Sequence, residues 1–437
     1  MAGFRTIPLW SMRVACLCGA VFVYALFGSP TPDHPGIYEI IVAILLIAAI
    51  GLSDAAGSLY ARRHDEPGFA KAGRVFLIYG LSIPLLCGVM NGNPAHLVLR
   101  DILPFLFMML PVFLWPLFQR HPRAAQALTV TIVIAGLLFS MRALCDLMPW
   151  QWLRHAITPD DHELFYLANA PTVLFAALFL AGFGGYTLLR AKNLRHILYA
   201  ALPGALCFVP VAAMVLAAQR ASLAAFGLYI LLLAALAVWK KPQHAWRILI
   251  PLGAVFIFLL PDIAEITRAL LYKTREVGMN MRWQETRAVW ETVSQNPLTL
   301  LFGTGWGGTF TSPATGGAIV NFTHNFFTSF LLKGGLVAVL LACFYIAAIL
   351  EWVIRIVLHE PVRGLALAAP VLIDILFYAS FKSLDFGVVL ALVPASLFYL
   401  RDQQLRWPAL EKREEANFWV LYADNRVEIC LGQQSSS

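Results

Sequence analysis

Residues 321–335 read NFTHNFFTSFLLKGG. The apolar run that this stretch opens, 324–350, is long enough to cross the ~30 Å hydrocarbon core of a bilayer. The segment before it, 262–323, is too polar and too rich in turn residues to sit in lipid. A histidine and an asparagine therefore stand where a long wet segment meets a membrane helix.

Outward from that boundary, the 437-residue chain is 59% hydrophobic and only 13% charged, so lipid is the solvent for most of it. Apolar runs recur at 9–28, 37–60, 74–90, 98–118, 125–147, 165–189, 197–218, 222–239, 247–262, 324–350, 365–381 and 385–400. This pattern predicts an all-α polytopic membrane protein with about 12 transmembrane helices and one large loop, on the outer side, that itself contains helices. The expected layout is helices 1–9 over 1–261, the loop over 262–323, helices 10–12 over 324–400 and a cytoplasmic tail over 401–437.

Lys and Arg set the orientation. Arg62, Arg63, Lys71 and Arg74, then Arg120 and Arg123, then Arg190, Lys192 and Arg195, then Lys240, Lys241 and Arg247 fall on one side if both termini are cytoplasmic. The opposite short loops, SPTPDHPG and NGNPAHL, carry none. The net charge of +7 is thus a topology signal and gives no reason to expect nucleic acid as a partner. The first apolar run is followed by ALFGSPTPD, a poor cleavage site, and reads as an uncleaved helix. Six of the seven cysteines lie inside expected helices and Cys430 in the tail, which suggests neither a disulfide framework nor a thiolate metal site.

Several residues in and around the loop have chemistry to offer. Arg220, in LAAQRASLAAFG, separates two apolar runs; it is either a turn arginine reaching to headgroups or a guanidinium fork for a phosphate. Arg282 is either a surface charge paired with a neighbour such as Glu285 or an anion ligand. Arg268, Arg275 and Arg282 are seven apart and would share one face of a continuous helix. His324 is either a helix-start residue bonded to backbone or a base with access to both protonation states. Lys333 and Asp374 lie inside membrane helices, where a charge needs a partner or water. The PDDHE run at 159–163 superficially resembles a metal site, but consecutive residues cannot converge on one ion from a regular backbone. Trp150, Trp152, Trp283 and Trp306 read as interfacial anchors.

In order and spacing, these pieces resemble the O-antigen ligase and polymerase superfamily of bacterial inner membranes. Arg220 in QRAS matches its arginine after a helix. Arg282, Pro297 and GTGWG, with Gly303, Gly305 and Gly307, match its arginine-helix-proline-GxG segment. HNFFTSFLLKGG supplies its histidine-asparagine pair, His324 and Asn325, with Gly334 and Gly335 beyond. The match covers roughly 200–345, and it departs from the family at Thr286, where a tryptophan is common.

The resemblance implies transfer of a glycan from undecaprenyl diphosphate to a sugar hydroxyl of lipid A–core at the periplasmic face, without a metal or other cofactor. It implies His324 as general base and Arg220, Arg282, Arg275 and Arg268 as ligands of the donor diphosphate, with Asn325, Gly303 and Gly305 in support. An O-antigen polymerase or a pilin oligosaccharyltransferase would carry the same signature. A lipid or solute transporter is the reading from another class; it predicts related halves, and no internal repeat is visible.

Overall fold

The structure, a computed structural model, describes residues 9–28, 36–60, 66–147, 164–254 and 282–410. Arg268, Arg275, the PDDHE run, Trp150, Trp152 and the tail beyond residue 410 lie outside the described residues.

Apolar composition with few strand-length alternations makes the described chain almost entirely helical. Its helices are α1 (Leu9–Phe27), α2 (Ile37–Ile50), α3 (Leu52–Tyr60), α4 (Gly68–Met90), α5 (Ala95–Met108), α6 (Leu110–Arg120), α7 (Ala124–Leu147), α8 (Pro171–Leu189), α9 (Leu194–Leu216), α10 (Arg220–Lys240), α11 (Arg282–Val293), α12 (Pro297–Phe302), α13 (Phe326–His359), α14 (Pro361–Leu376) and α15 (Leu384–Leu410). Among the described residues, eight helical segments, with α5 and α6 taken together as one, are long and apolar enough to cross a membrane, or nine if α2 and α3, bent by 68° at Gly51, form one span. The chain is an all-α polytopic membrane protein.

Two of the expected segments end differently from the sequence reading. The 365–381 run stops as a helix at Leu376, and the chain then makes a short 3-10 turn, Ala379–Lys382. The run opening at 324 continues to His359 but is interrupted at Gly335, whose φ of 66° and ψ of −166° only glycine adopts readily. A small antiparallel hairpin, β1 (Phe310–Ser312) on β2 (Ala318–Val320), was not foreseen; its turn uses Gly316 and Gly317 at positive φ.

The closing helix α15 is the central post. Its membrane-length portion is 78% buried, against 17% for α10, which faces outward. Around it the breaks in the helices share one feature: the backbone carbonyls they release are capped by protein. In lipid no water is present to do so. Arg13 donates from Nε to Ala49 O at 2.8 Å and from a second nitrogen to Ile50 O, closing α2 above the Gly51 bend, while its third nitrogen meets Asp54 at 2.8 Å. Arg142 caps the end of α1 through Ala25 O and Gly28 O, both at 2.9 Å. The Tyr345 hydroxyl caps Met108 O at the α5–α6 break.

The largest such repair joins α4 to α13. Pro84 has no N–H, so Gly80 O, four residues earlier in α4, loses its helical partner. The Trp306 indole donates to that carbonyl at 2.7 Å, and the Trp306 N–H donates to Pro84 O at 2.9 Å. In α13 the break at Gly335 releases three carbonyls. Thr304 takes Leu332 O, Gly305 N takes Lys333 O and the Tyr79 hydroxyl takes Gly334 O. Residues 304–306 thus plug two broken helices at once.

This overturns the reading of Trp306 as an interfacial anchor. Trp306 is 4% exposed and lies tilted on Phe105, so it is a core wedge, whereas Trp283 remains 78% exposed. The glycines of GTGWG bring backbone close to backbone: a Cβ on Gly305 would strike Gly88, and one on Gly303 would strike the Lys333–Gly334 peptide. Both also sit at positive φ, 83° and 76°.

Gly305→Ala therefore combines roughly 1–3 kcal/mol of backbone strain with a clash against α4. A marked loss of folded protein in detergent size-exclusion and thermal-melt assays is expected. Gly316→Ala, at φ 69° with open space around it, carries only the left-handed penalty of about 1–2 kcal/mol and should retain the folded peak.

Candidate active site

α11 explains why His324 is where it is. Glu285, Val289 and Val293 recur every four residues and form the buried stripe of this helix. The two valines pack on Leu332 and Phe310, so the same face turns Glu285 inward, 3% exposed, toward the start of α13. There its carboxylate accepts from the His324 backbone N–H at 3.1 Å and meets the imidazole Nδ1 at 2.9 Å. A buried carboxylate on Nδ1 fixes the ring and leaves Nε2 as the nitrogen available to a substrate. The imidazole is 39% exposed and touches Phe322 edge-on, so it is reachable from one side and held from the other.

The structure also decides what surrounds this pair. Asn325 is the N-cap of α13, its side chain accepting from Phe327 N at 2.8 Å. Arg282 makes no ion pair with Glu285, the alternative its spacing suggested, because the carboxylate is committed to His324. It stands one turn before Glu285 at the head of the buried stripe, half-buried. Arg220 opens α10, after Ala218 at φ 54° has turned the chain. It is linked to the site by the segment that follows α14. The Tyr378 hydroxyl lies against Ser222 and Ala221 at the start of α10 and interacts with them electrostatically. Four residues on, Lys382 donates from Nζ to the Thr323 carbonyl at 3.2 Å. Residues 378–382 therefore tie the start of Arg220's helix to the residue before His324.

Below the histidine lies a buried ion pair. Lys333 Nζ meets Asp101 at 2.6 Å and Gly308 O at 2.6 Å, and Asp101 also accepts from Gly307 N at 2.7 Å. Lys333, singled out by sequence as a charge needing a partner, is a structural clasp holding the glycine turn to α5. Asp374, the other such charge, is buried in α14.

Three residues of this site escaped the sequence reading: Asp101, Lys382 and Glu285 as a partner of His324. Glu285 carried a misleading signal, since an arginine three residues earlier on a helix is the ordinary partner. Lys382 sat at the edge of a run read as membrane helix; the polar FKS interruption was the available clue. Among the described residues, no group of three or more His, Cys, Asp or Glu could hold a metal ion. All six described cysteines are free.

Comparison with known proteins returns no match, whether to a family model, a curated protein or a solved structure.

Removing the Glu285 carboxylate strands a buried N–H and unfastens the imidazole. Glu285→Ala is expected to cost about 1–3 kcal/mol, read as a lower melting temperature in detergent. Arg287→Ala on the exposed face, breaking only a surface pair with Glu291, should shift it by no more than about 0.5 kcal/mol.

Proposed function

We propose that this chain is a membrane glycosyltransferase that moves an O-antigen glycan from undecaprenyl diphosphate to a sugar hydroxyl of lipid A–core. The observation that carries the reading is the Glu285–His324 pair: a buried carboxylate on Nδ1 and an accessible Nε2 form a general base with its orienting group. Arg220, at the start of α10, and Arg282, at the start of α11, supply guanidinium forks suited to a diphosphate.

His324 Nε2 takes the proton of the acceptor hydroxyl as its oxygen attacks the anomeric carbon. The bond from that carbon to the diphosphate oxygen breaks, and the lipid diphosphate leaves with the bonding electrons. Attack from the side opposite the leaving group inverts the centre. Arg220 and Arg282, with Arg268 and Arg275 from the preceding loop, stabilise the charge that grows on the leaving diphosphate. Asn325, Gly303 and Gly305 support the platform.

The reading puts about 12 spans in the inner membrane, both termini in the cytoplasm and the 262–323 loop in the periplasm. Support comes from α4. Lys71 and Arg74 lie in its first turns, whereas Asn91 and Asn93, just past its other end about 35 Å away at 1.5 Å per residue, bond the Thr304 carbonyl of the glycine turn. The basic end and the loop end are thus a bilayer apart.

The test is a transfer assay with purified protein, undecaprenyl-diphosphate glycan and lipid A–core in excess EDTA. Wild type should place glycan on lipid A–core, and His324→Ala should lower the rate by about 10²–10⁴-fold. In His324→Gln the acidic limb of the pH–rate profile should vanish. Glycan lengthened on the carrier lipid would instead make the protein a polymerase, and activity that needs added metal would remove His324 from the central role.

A further inference from the structure

We infer that Lys382 is a binding residue for the donor's phosphate, completing with Arg220 an anion site on the 378–382 turn beside His324. The inference rests on the transferase reading above for the identity of the anion, and on geometry for its place.

Lys382 is half-buried, yet among the described residues its polar partner is a single carbonyl, Thr323 O. The carboxylates around it are already committed. Asp101 holds Lys333 and Gly307 N, and Glu285 holds His324. Arg100, exposed on α5, and Lys333 add positive charge on the same side. An ammonium removed from water without a counter-charge is expensive, and an anionic ligand offsets that expense. The contrast with Lys333 is instructive: fully buried, it has a carboxylate at 2.6 Å.

The turn also has the reach. Tyr378 lies against Ser222 and Ala221 at the start of Arg220's helix, and Lys382 donates to the Thr323 carbonyl. A compact ammonium suits a phosphate oxygen as a point charge, complementing the planar fork of an arginine. Burial, opposed by the Asp101 and Glu285 carboxylates and reinforced by Lys333 and Arg100, pushes the Lys382 ammonium down from the ordinary lysine range to about 8. It is therefore a cation below that pH and neutral above it. The groups facing it are Arg100 and Asp101 from α5, Lys333 and His324 at α13, and Glu285 from α11; α14 and α15, packed on the same turn, carry Asp374 and Asp385.

The experiment titrates farnesyl diphosphate, with farnesol as the uncharged control, into full-length protein in detergent at pH values below and above 8. Wild type, Lys382→Met and Lys382→Arg are compared by calorimetry. Wild type should bind the diphosphate and not farnesol, and weaken above pH 8. Lys382→Met should bind roughly ten-fold more weakly below pH 8. Lys382→Arg should retain binding above it, and the difference between the two proteins isolates residue 382. Inorganic pyrophosphate binding as tightly as farnesyl diphosphate would identify a free-anion site in place of a lipid-linked one and overturn the donor assignment. Equal affinity and equal pH dependence in all three proteins, with transfer activity intact, would sink the role of Lys382 and spare the transferase. Lysine-dependent binding by a wild type that transfers glycan to no acceptor would do the reverse.

Discussion

A backbone carbonyl released inside a bilayer must find a donor in the protein, and that demand organises this molecule. Pro84 releases one in α4 and Gly335 releases three in α13. Thr304, Gly305 and Trp306 meet most of it from one short turn. Glycine at 305 is required because the turn approaches Gly88 backbone to backbone. The buried Lys333–Asp101 pair then locks the far side of the turn to α5.

The site is built on that joint. The half of α13 before the break, from Phe326 to Gly334, is held by the turn on one side and by α11 on the other. His324 sits directly before it, so the position of the imidazole is set by packed helices even though the residue itself lies in a loop. Phe326 extends the arrangement, stacking edge-on with both Phe330 and Phe381 and so bringing the 378–382 turn against the same helix start.

Charge is distributed over this region with little slack. Each inward carboxylate beside the histidine has its own partner, and the half-buried Lys382 is left with a carbonyl. The neutralised pairs, Glu285 with His324 and Lys333 with Asp101, carry the structure around it.

The sequence by itself determined the class of fold. Apolar run length shows a polytopic helical membrane protein, because each span must satisfy its own backbone, and the position of His324 at the mouth of α13 was equally plain. Sequence order also marked Arg220, Arg282 and the glycine turn as belonging together. It could not say what the glycines were for, since a close approach to ligand and a close approach to another helix leave the same residue in the chain. Nor could it choose the partner of Glu285: Arg282 is near in sequence, whereas His324 is 39 residues away and meets it only because Val289 and Val293 rotate the helix inward. Trp306 and Lys382 were likewise decided by tertiary structure alone, because a carbonyl freed by a proline in α4 and a turn that ends α14 early are properties of the packed bundle, invisible to local hydropathy.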